Sequence, residues 1–467
     1  MRRAAAFVIF AVTAGLTAAP AAAQSLPPKL TEASAACIEC HAEEMPGLVM
    51  EWRQSRHFAS KVGCSECHAA LPTDADAVDH NGYLISVIVS PKDCAKCHPV
   101  PAAEFGSSYH ADAGAIRRSL DNMLGEVVEG PEAAVAGCKQ CHGAVVKVNA
   151  DKTLDAASWP NSGIGRINPD GSKGSCAACH SRHSFDSAMA RQPENCGKCH
   201  LGPDHPQKEI YEESKHGIAY YANIPRMSLH SASWVVGADY SAAPTCATCH
   251  ISATKDLPMS HDVGERISWT LRPAVSQKID AAALKAGRTV KTWEARRNDM
   301  KKVCASCHTT SFVGNFYVQY DGLVKLYNEK FAGPATEIYG KLRAAGVLTA
   351  DTDFDEELEW TYYYLWHHEG RRARMGTAMF APDYTQWHGM FEVADRFYIQ
   401  FIPQVADAIK LGRAAGGAKA AAAAEVEKLV KATLEKPEHA WFQGQEPAEV
   451  KAARKKAAEE FRKRYEP

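Results

Sequence analysis

The chain has 467 residues, of which 46% are hydrophobic, 16 are cysteine and 20 are histidine. This composition excludes an integral membrane protein and an intrinsically disordered one, and the length allows two or three domains. The 53 basic and 55 acidic residues give a formal charge of −2, which does not favour nucleic acid as a partner.

The N-terminus has the pattern of a secretory signal peptide. Two arginines precede an apolar run from Ala4 to Leu16, and three alanines precede Gln24. This predicts a signal peptide over residues 1–23 and a mature chain exported to a bacterial periplasm. The run is too short to anchor the protein, and no run of about 18 apolar residues follows it, so we expect a soluble protein without a membrane span.

Every cysteine of the chain belongs to a Cys-x-x-Cys-His unit, and there are eight such units. They are Cys37/Cys40/His41, Cys64/Cys67/His68, Cys94/Cys97/His98, Cys138/Cys141/His142, Cys176/Cys179/His180, Cys196/Cys199/His200, Cys246/Cys249/His250 and Cys304/Cys307/His308. In a c-type haem site, the two thiols add to the two vinyl groups of one porphyrin and the adjacent histidine binds the iron. The motifs therefore predict eight c-type haems, whereas zinc sites would leave eight regularly placed histidines unexplained.

The motifs also predict the fold class, which is a mainly α multihaem cytochrome c. With many haems between Cys37 and His308, the porphyrins should form much of the core, wrapped by short helices and loops. Turn-forming sequences such as Trp159 to Gly163 interrupt longer helices there. The best candidate for a strand, from Tyr83 to Val89, is weak.

After His308, cysteine disappears and aromatic and charged residues increase. Apolar residues recur at helical spacing in three segments, Phe312 to Arg343, Asp355 to Met375 and Tyr384 to Leu411. We therefore predict a haem-packed region over residues 24–310, a haem-free helical domain over 311–412, and an Ala-rich linker with a charged C-terminal helix over 413–467.

Twelve histidines lie outside the motifs and could supply the second axial ligand of each iron. Neutral imidazole is the usual choice in electron-transfer haems, although methionine is a competing ligand. Three segments share an aromatic residue followed by Ser-x-His, ending at His57, His110 and His216. The expected distal ligands are His57, His80, His110, His183, His216, His230 and His261. Whether His367 or His368 is an eighth ligand stays open.

The chain resembles the octahaem hydroxylamine oxidoreductases over nearly the whole mature length. The resemblance rests on CHLGPDHPQ at 199–207, ESKHG at 213–217, HDVGERISW at 261–269, WHHEGRRARMG at 366–376 and PDYTQWHG at 382–389. In that family the fourth haem is catalytic and lacks a distal protein ligand. The resemblance therefore implies that the haem on Cys138, Cys141 and His142 is the catalytic one.

The resemblance also implies roles for three further residues. Asp204 and His205 match the pair that lines the distal pocket, although Gly202-Pro203-Asp204 is also turn chemistry and His205 could bind a different iron. Tyr384 matches the tyrosine that crosslinks to the catalytic porphyrin of a neighbouring chain, and it could instead be a core residue of an aromatic helical domain. A homotrimer, with electrons passed to a c-type cytochrome, is the expected assembly.

The expected activity is the oxidation of hydroxylamine to nitric oxide or nitrite by a periplasmic hydroxylamine oxidoreductase. Asp204 and His205 would accept protons. The presence of Tyr384 favours oxidation as the direction of the reaction, because reductive members of the family lack this tyrosine. Three alternatives stay open. They are a hydrazine dehydrogenase, a reductase that makes ammonia from nitrite or hydroxylamine, and a non-catalytic electron conduit with eight six-coordinate irons.

Overall fold

The structure, a computed structural model, describes residues 30–118, 120–349 and 351–466. The signal peptide expected over residues 1–23 lies outside this range. In the described part of the chain, no helix is long and apolar enough to cross a membrane.

The haem-motif region consists of short helices joined by turns and loops. These are α1 (Glu32–Glu44), α2 (Pro46–Arg53), α3 (Arg56–Ala59), α4 (Cys64–His68), α5 (Pro91–Ala95), α6 (Pro99–Gly106), α7 (Leu120–Met123), α8 (Pro131–Ala133), α9 (Lys139–His142), α10 (Ser187–Arg191), α11 (Pro193–Gly197), α12 (Gln207–Glu213), α13 (Lys215–Ala222), α14 (Cys246–His250), α15 (Ala281–Lys285) and α16 (Trp293–Ala305). Prolines at their first turns favour several of these starts, because proline has no backbone N–H to leave unsatisfied there. The predicted mainly α multihaem architecture is confirmed.

Strands are few and short among the described residues. β1 (Val78–His80) pairs antiparallel with β2 (Tyr83–Ile85), and β3 (Trp269–Thr270) pairs antiparallel with β4 (Gln277–Lys278). The strand expected from Tyr83 to Val89 thus ends earlier, at Ile85. The next residue, Ser86, donates a side-chain hydrogen bond to the Asp76 carboxylate.

The C-terminal region contains longer helices. These are α17 (Thr310–Tyr327), α18 (Gly333–Ala344), α19 (Glu357–Tyr363), α20 (Arg371–Ala378), α21 (Pro382–Thr385), α22 (Glu392–Asp395), α23 (Ile402–Ala415), α24 (Gly417–Leu434) and α25 (Ala448–Tyr465). Wider, π-type turns at Asn328–Ala332, Tyr364–Gly370, Gln386–Phe391 and Arg396–Phe401 connect several of them. The three segments with helical spacing are therefore largely helical.

One core holds these helices together. Its fully buried members include Tyr327, Ile338, Leu342, Phe397 and Phe401. Burying a large apolar side chain contributes roughly 1.5–3 kcal/mol, so this core gives the C-terminal region its own stability.

The Ala-rich segment after residue 413 differs from the expected linker. It forms the 18-residue helix α24, and Ala423 and Val426 on this helix are fully buried in the same core. Alanine has the highest helix propensity, and its small side chain allows the close packing of α24 against α23. The expected charged C-terminal helix is present as α25, which has no buried residue.

Candidate functional site

The sixteen motif cysteines are not joined by disulfides in the described part of the chain. Four pairs of thiols from different motifs are hydrogen-bonded, namely Cys37 with Cys64, Cys94 with Cys176, Cys141 with Cys199, and Cys196 with Cys246. Three further pairs are close enough to interact electrostatically, namely Cys67 with Cys94, Cys179 with Cys196, and Cys249 with Cys304. These interactions connect the first, second, third, fifth, sixth, seventh and eighth motifs in one series. The fourth motif joins the series beside the sixth.

The motif cysteines differ from one another in how far the protein part of the molecule buries them. Cys40, Cys97 and Cys307, the second cysteines of the first, third and eighth motifs, are exposed, whereas the other thirteen are partly buried. Cys97 illustrates the physical reason, because it lies in the turn between α5 and α6, where residues 96–100 are all exposed. A porphyrin bound there would cover its thiol, so Cys97 stays a predicted attachment residue at the protein surface.

Five of the expected distal histidines lie opposite a motif histidine. The ring-centroid separations are 6.0 Å for His41 and His80, 6.5 Å for His68 and His183, 6.3 Å for His98 and His57, 6.0 Å for His200 and His110, and 6.1 Å for His308 and His216. Two imidazoles on one metal, each with a bond of about 2 Å, hold their centroids roughly 6 Å apart. The spacing of these rings fits an iron between them.

The Ser-x-His repeat has a common local geometry. In each copy the serine hydroxyl donates a hydrogen bond to the carbonyl of the aromatic residue three positions earlier, and the histidine follows two positions later. The hydroxyl–carbonyl distances are 2.6 Å for Ser55 and Trp52, 2.7 Å for Ser108 and Phe105, and 2.7 Å for Ser214 and Tyr211. Ser55 and Ser214 also cap the next helix. This turn fixes the position of the histidine.

The other two expected distal ligands are placed differently. His261 lies near His180, and its backbone N–H donates to the Glu104 carboxylate at 2.9 Å. His230 has a side chain that is 83% exposed and lies 3.7 Å from Asp186. Among the ring contacts of the described residues, His230 faces no motif histidine.

Several further observations fit a bound haem. An empty volume of about 520 Å³ is lined by Cys304, Cys307, His308 and His216, together with aromatic side chains. Burial lowers the pKa of His110, His180 and His200 to about 4, which leaves the neutral imidazole that metals bind.

The fourth motif borders a second cavity. An empty volume of about 310 Å³ is lined by Cys138, Gly125, Glu126 and neighbouring small residues. A Cβ atom on Gly125 would lie 2.9 Å from the Cys138 sulfur, which is too close for a normal contact. A residue with a side chain at position 125 would therefore clash with this thiol. Small residues therefore line this side of the motif.

Asp204 and His205 form a hydrogen-bonded pair beside the fourth and sixth motifs. His205 Nδ1 lies 2.5 Å from Asp204 Oδ1, and His205 Nε2 lies 2.9 Å from the Cys199 carbonyl oxygen. His205 also acts electrostatically on Cys141, the second thiol of the fourth motif. Both ring nitrogens of His205 face acceptors in its own chain, and its ring centroid lies 6.1 Å from that of His200, the histidine of the sixth motif.

The charge state of the pair follows from these contacts. Burial alone would raise the pKa of Asp204. The hydrogen bond from His205 and its charge nevertheless hold this pKa below its ordinary value. Burial would lower the pKa of His205, but Asp204 and the Cys199 carbonyl raise it above its ordinary value. Both shifts favour the charged forms, a carboxylate beside an imidazolium.

Residues from the WHHEGRR sequence complete the surroundings of Asp204. Arg371 Nη1 lies 3.3 Å and His367 Nε2 lies 3.9 Å from Asp204 Oδ2. Tyr363 stacks on His367 and places its hydroxyl 3.1 Å from Nε2. The sequence motif drew attention to this segment, but it assigned no role to Tyr363 or Arg371 and left that of His367 open. Burial lowers the pKa of the adjacent His368 to about 4.

Tyr384 lies on the short helix α21, after the break at Pro382. Within its own chain it packs beside Met375, Ala381 and Ile210. Burial, followed by the charges of Glu209 and Glu213, raises the pKa of its phenol above the ordinary value. Trp387 and Phe391, one and two turns further on, are 59% and 53% exposed.

Histidines paired at the separation of two iron ligands, next to Cys-x-x-Cys-His thiols that interact from motif to motif, define a c-type multihaem cytochrome. The family described as "Seven times multi-haem cytochrome CxxCH" matches residues 60–353, a span that contains seven of the eight motifs. The chain belongs to this family. The first motif lies within residues 15–69, which match the family described as "Cytochrome c554 and c-prime".

Relatives place the chain near the hydroxylamine oxidoreductases. It is 26% identical over 346 residues to a "Probable nitrite reductase-hydroxylamine oxidoreductase fusion protein" of Kuenenia stuttgartiensis, a match that covers 60% of this chain and 34% of the relative. The chain thus spans about a third of that relative's length. The expected kinship with hydroxylamine-oxidoreductase-like multihaem cytochromes is confirmed.

Two solved structures share the fold. One, described as a "Hypothetical multiheme protein", has a TM-score of 0.72 and 25% identity, over 82% of this chain and 97% of that chain. The other is the "Kuenenia stuttgartiensis reducing HAO-like protein complex Kustc0457/Kustc0458", with a TM-score of 0.60 and 22% identity, over 82% of this chain and 86% of that chain. The fold is therefore shared along most of the chain.

Proposed function

We propose that the protein is a periplasmic octahaem oxidoreductase that oxidises hydroxylamine to nitric oxide or nitrite. The observation that carries this proposal is the Asp204–His205 pair beside Cys141 of the fourth motif. The haem on Cys138, Cys141 and His142 would supply an iron that binds the substrate nitrogen and accepts electrons. Seven bis-histidine haems, including those with His230 and His261 as ligands, would carry the electrons away.

The residues around the pair suit the proton chemistry of this reaction. Oxidation of hydroxylamine to nitric oxide releases three electrons and three protons, so the pocket needs a proton acceptor. Asp204 is ionised, and its contacts with Arg371 and His367 hold the carboxylate in one orientation. Asp204 can accept a proton released by the substrate, and it can pass that proton to His205 once His205 has released its own.

The series of adjacent motifs provides the electron path. The fourth motif contacts the sixth, and the series runs from there to the first motif in one direction and to the eighth in the other. Neighbouring thioether attachments keep porphyrins close, which is what electron transfer between haems requires. A c-type cytochrome is the proposed final acceptor.

A reductase that makes ammonia is the second candidate. The observation that favours it is the hydrogen bonding of His205, which donates from Nε2 to the Cys199 carbonyl and from Nδ1 to Asp204. An imidazolium held in this way is a proton donor, and reduction of nitrite or hydroxylamine consumes protons.

Oligomerisation would complete the oxidative site. Tyr384 lies on the same side of its helical segment as Trp387 and Phe391, whose side chains are exposed. Together they form an apolar surface to which a second copy of the chain could bind. We propose a homotrimer in which Tyr384 of one chain bonds to the fourth haem of the next, since a closed ring lets every copy give and receive this contact.

Replacing Tyr384 by phenylalanine tests the oxidative assignment. We expect the Tyr384→Phe variant to lose the covalent link between chains and the red-shifted ferrous absorption band, because the phenol oxygen forms the bond. The other seven haems should stay intact, and activity should shift toward reduction. Denaturing electrophoresis with haem staining and a ferrous spectrum measure both effects.

The matched control is Tyr398→Phe, which removes a buried hydroxyl that contacts His439 at 2.7 Å in the same helical domain. This variant should keep the crosslinked band. Identical monomer bands for wild type and the Tyr384 variant would mean that Tyr384 is an ordinary packing residue.

A further inference from the structure

The surroundings of the first motif combine strong negative charge with exposure. Residues 30–89 contain nine acidic and three basic residues, a formal charge of −6, whereas the whole chain has −2. Four exposed acidic residues flank the motif, and we call them the acidic rim: Glu39, Glu43 and Glu44 on α1 and Asp79 on β1. A strong excess of negative charge is thus concentrated at this end of the protein.

The rim borders the expected position of the first haem. Cys40 and His41 lie on α1 between Glu39 and Glu43, and the His80 ring, next to Asp79, lies opposite the His41 ring at 6.0 Å. Exposed apolar side chains lie near the rim residues: Met45 follows Glu44 and is 43% exposed, and Tyr83 pairs with His80 across the hairpin and is 40% exposed. Transient protein interfaces combine apolar and charged side chains in this way.

The first motif also stands at one end of the series of motifs, in contact with the second through Cys37 and Cys64. The eighth motif, at the other end, has the opposite charge. Residues 293–308 contain four basic and two acidic residues, with Lys301 and Lys302 directly before the motif. Charge therefore distinguishes the two ends of the electron path.

We propose that the acidic rim is the docking surface for a small basic electron-transfer protein whose lysines surround its exposed redox centre. This rests on the proposed export of electrons but not on the identity of the substrate. A haem held by Cys37, Cys40 and His41 would give up one electron at each encounter, and the metal centre of the partner would be reduced by that electron. Long-range attraction between the rim and the lysines raises the rate of productive encounter.

The experiment uses the haem-loaded protein and a lysine-rich mitochondrial-type cytochrome c as the probe. The protein is fully reduced chemically, freed of reductant, and mixed with the ferric probe in a stopped-flow instrument at several salt concentrations. We expect the second-order rate constant to fall about tenfold or more between low and physiological salt, because salt screens exposed charges. Chemical reduction makes the result independent of hydroxylamine oxidation.

Charge reversal locates the site. The Glu43→Lys/Glu44→Lys variant should react at least about tenfold more slowly at low salt and lose most of its salt dependence. The matched control, Glu459→Lys/Glu460→Lys, changes the net charge equally on the exposed helix α25 and should keep most of the wild-type rate.

Three results would overturn the proposal. The first is an equal loss of rate in both variants, since net charge alone would then explain it. The second is a wild-type rate that does not depend on salt. The third is a change of oligomeric state in the Glu43/Glu44 variant, measured by light scattering, which would make the rim a contact between copies of this chain.

Discussion

Replacing Cys138 and Cys141 by serine should abolish hydroxylamine oxidation while leaving most of the haem absorbance. Both thioether bonds of the fourth haem are lost, so the substrate loses the iron at which it would react. Activity should fall to background because, in the proposed site, Asp204 and His205 act on a substrate bound at the fourth haem. Turnover with a cytochrome acceptor and the haem content per chain measure the two parts of this prediction.

The matched control removes one haem from the end of the series. Cys304→Ser/Cys307→Ser also eliminates two thioether bonds, but the eighth motif lies away from the proposed path toward the first. We expect this variant to keep substantial activity. Equal losses in the two variants would remove the reason for assigning catalysis to the fourth motif, and full activity without the fourth haem would contradict the assignment directly.

Replacing His205 by alanine should reduce turnover by about 10²–10⁴-fold, the usual contribution of a general acid or base. The haem spectrum should be unchanged, because both His205 nitrogens are engaged by Asp204 and the Cys199 carbonyl. Loss of a bis-histidine haem from the spectrum would instead make His205 an axial ligand.

His439→Gln is the control for this substitution. His439 is also a buried, hydrogen-bonded histidine, with Nδ1 2.7 Å from the Tyr398 hydroxyl, but it lies against Phe331 and Phe397 in the core of the helical region. This substitution should leave turnover per folded chain nearly unchanged. A similar decrease in both variants would mean that removal of any buried histidine disturbs the enzyme, and the special role of His205 would fail.

The haem-binding part of the site could be predicted from the sequence because its chemistry is local. A Cys-x-x-Cys-His unit places two thiols and a histidine within one turn, so the class of cofactor follows from spacing alone. The Ser-x-His repeat predicted three distal histidines for the same reason. The serine hydroxyl donates a hydrogen bond to the carbonyl three residues earlier, and this local contact is encoded by neighbouring residues. His57, His110 and His216 therefore face motif histidines.

The exposure of individual motif residues does not follow from that local chemistry. Cys97 has the same spacing in its motif as the partly buried Cys179, yet it lies at the surface. The difference arises from the exposed turn that contains Cys97, and the spacing of a motif carries no information about what packs on it. Spacing thus predicts the cofactor but not how deeply each attachment site is buried.

Contacts between distant segments could not be predicted in the same way. Arg371 reaches Asp204 across 167 positions of the chain, and the sequence does not specify which of His367 and His368 points toward the pair. The structure places His367 there, within a π-type turn that shifts the helical register. His230 illustrates the opposite case, because a histidine in the haem region lies largely exposed.

The Ala-rich segment was misjudged for a different physical reason. Small residues suit a flexible linker and a closely packed helix equally well, and composition alone does not distinguish them. The long helix α23 offers a surface at Gly412, where Ala423 of α24 comes close enough to exclude a larger side chain. Tertiary packing therefore decided the structure of this segment.

The most direct test of the proposed function is an anaerobic turnover experiment with isotopically labelled hydroxylamine and an oxidised cytochrome as acceptor. The account predicts labelled nitric oxide with three electrons delivered to the acceptor for each molecule, and nitrite with one further electron where oxidation continues. In a parallel reaction a chemical reductant replaces the acceptor. Formation of labelled ammonium there, which takes two electrons and three protons per hydroxylamine and releases water, together with no reduction of the acceptor in the first reaction, would contradict the account and make the protein a reductase.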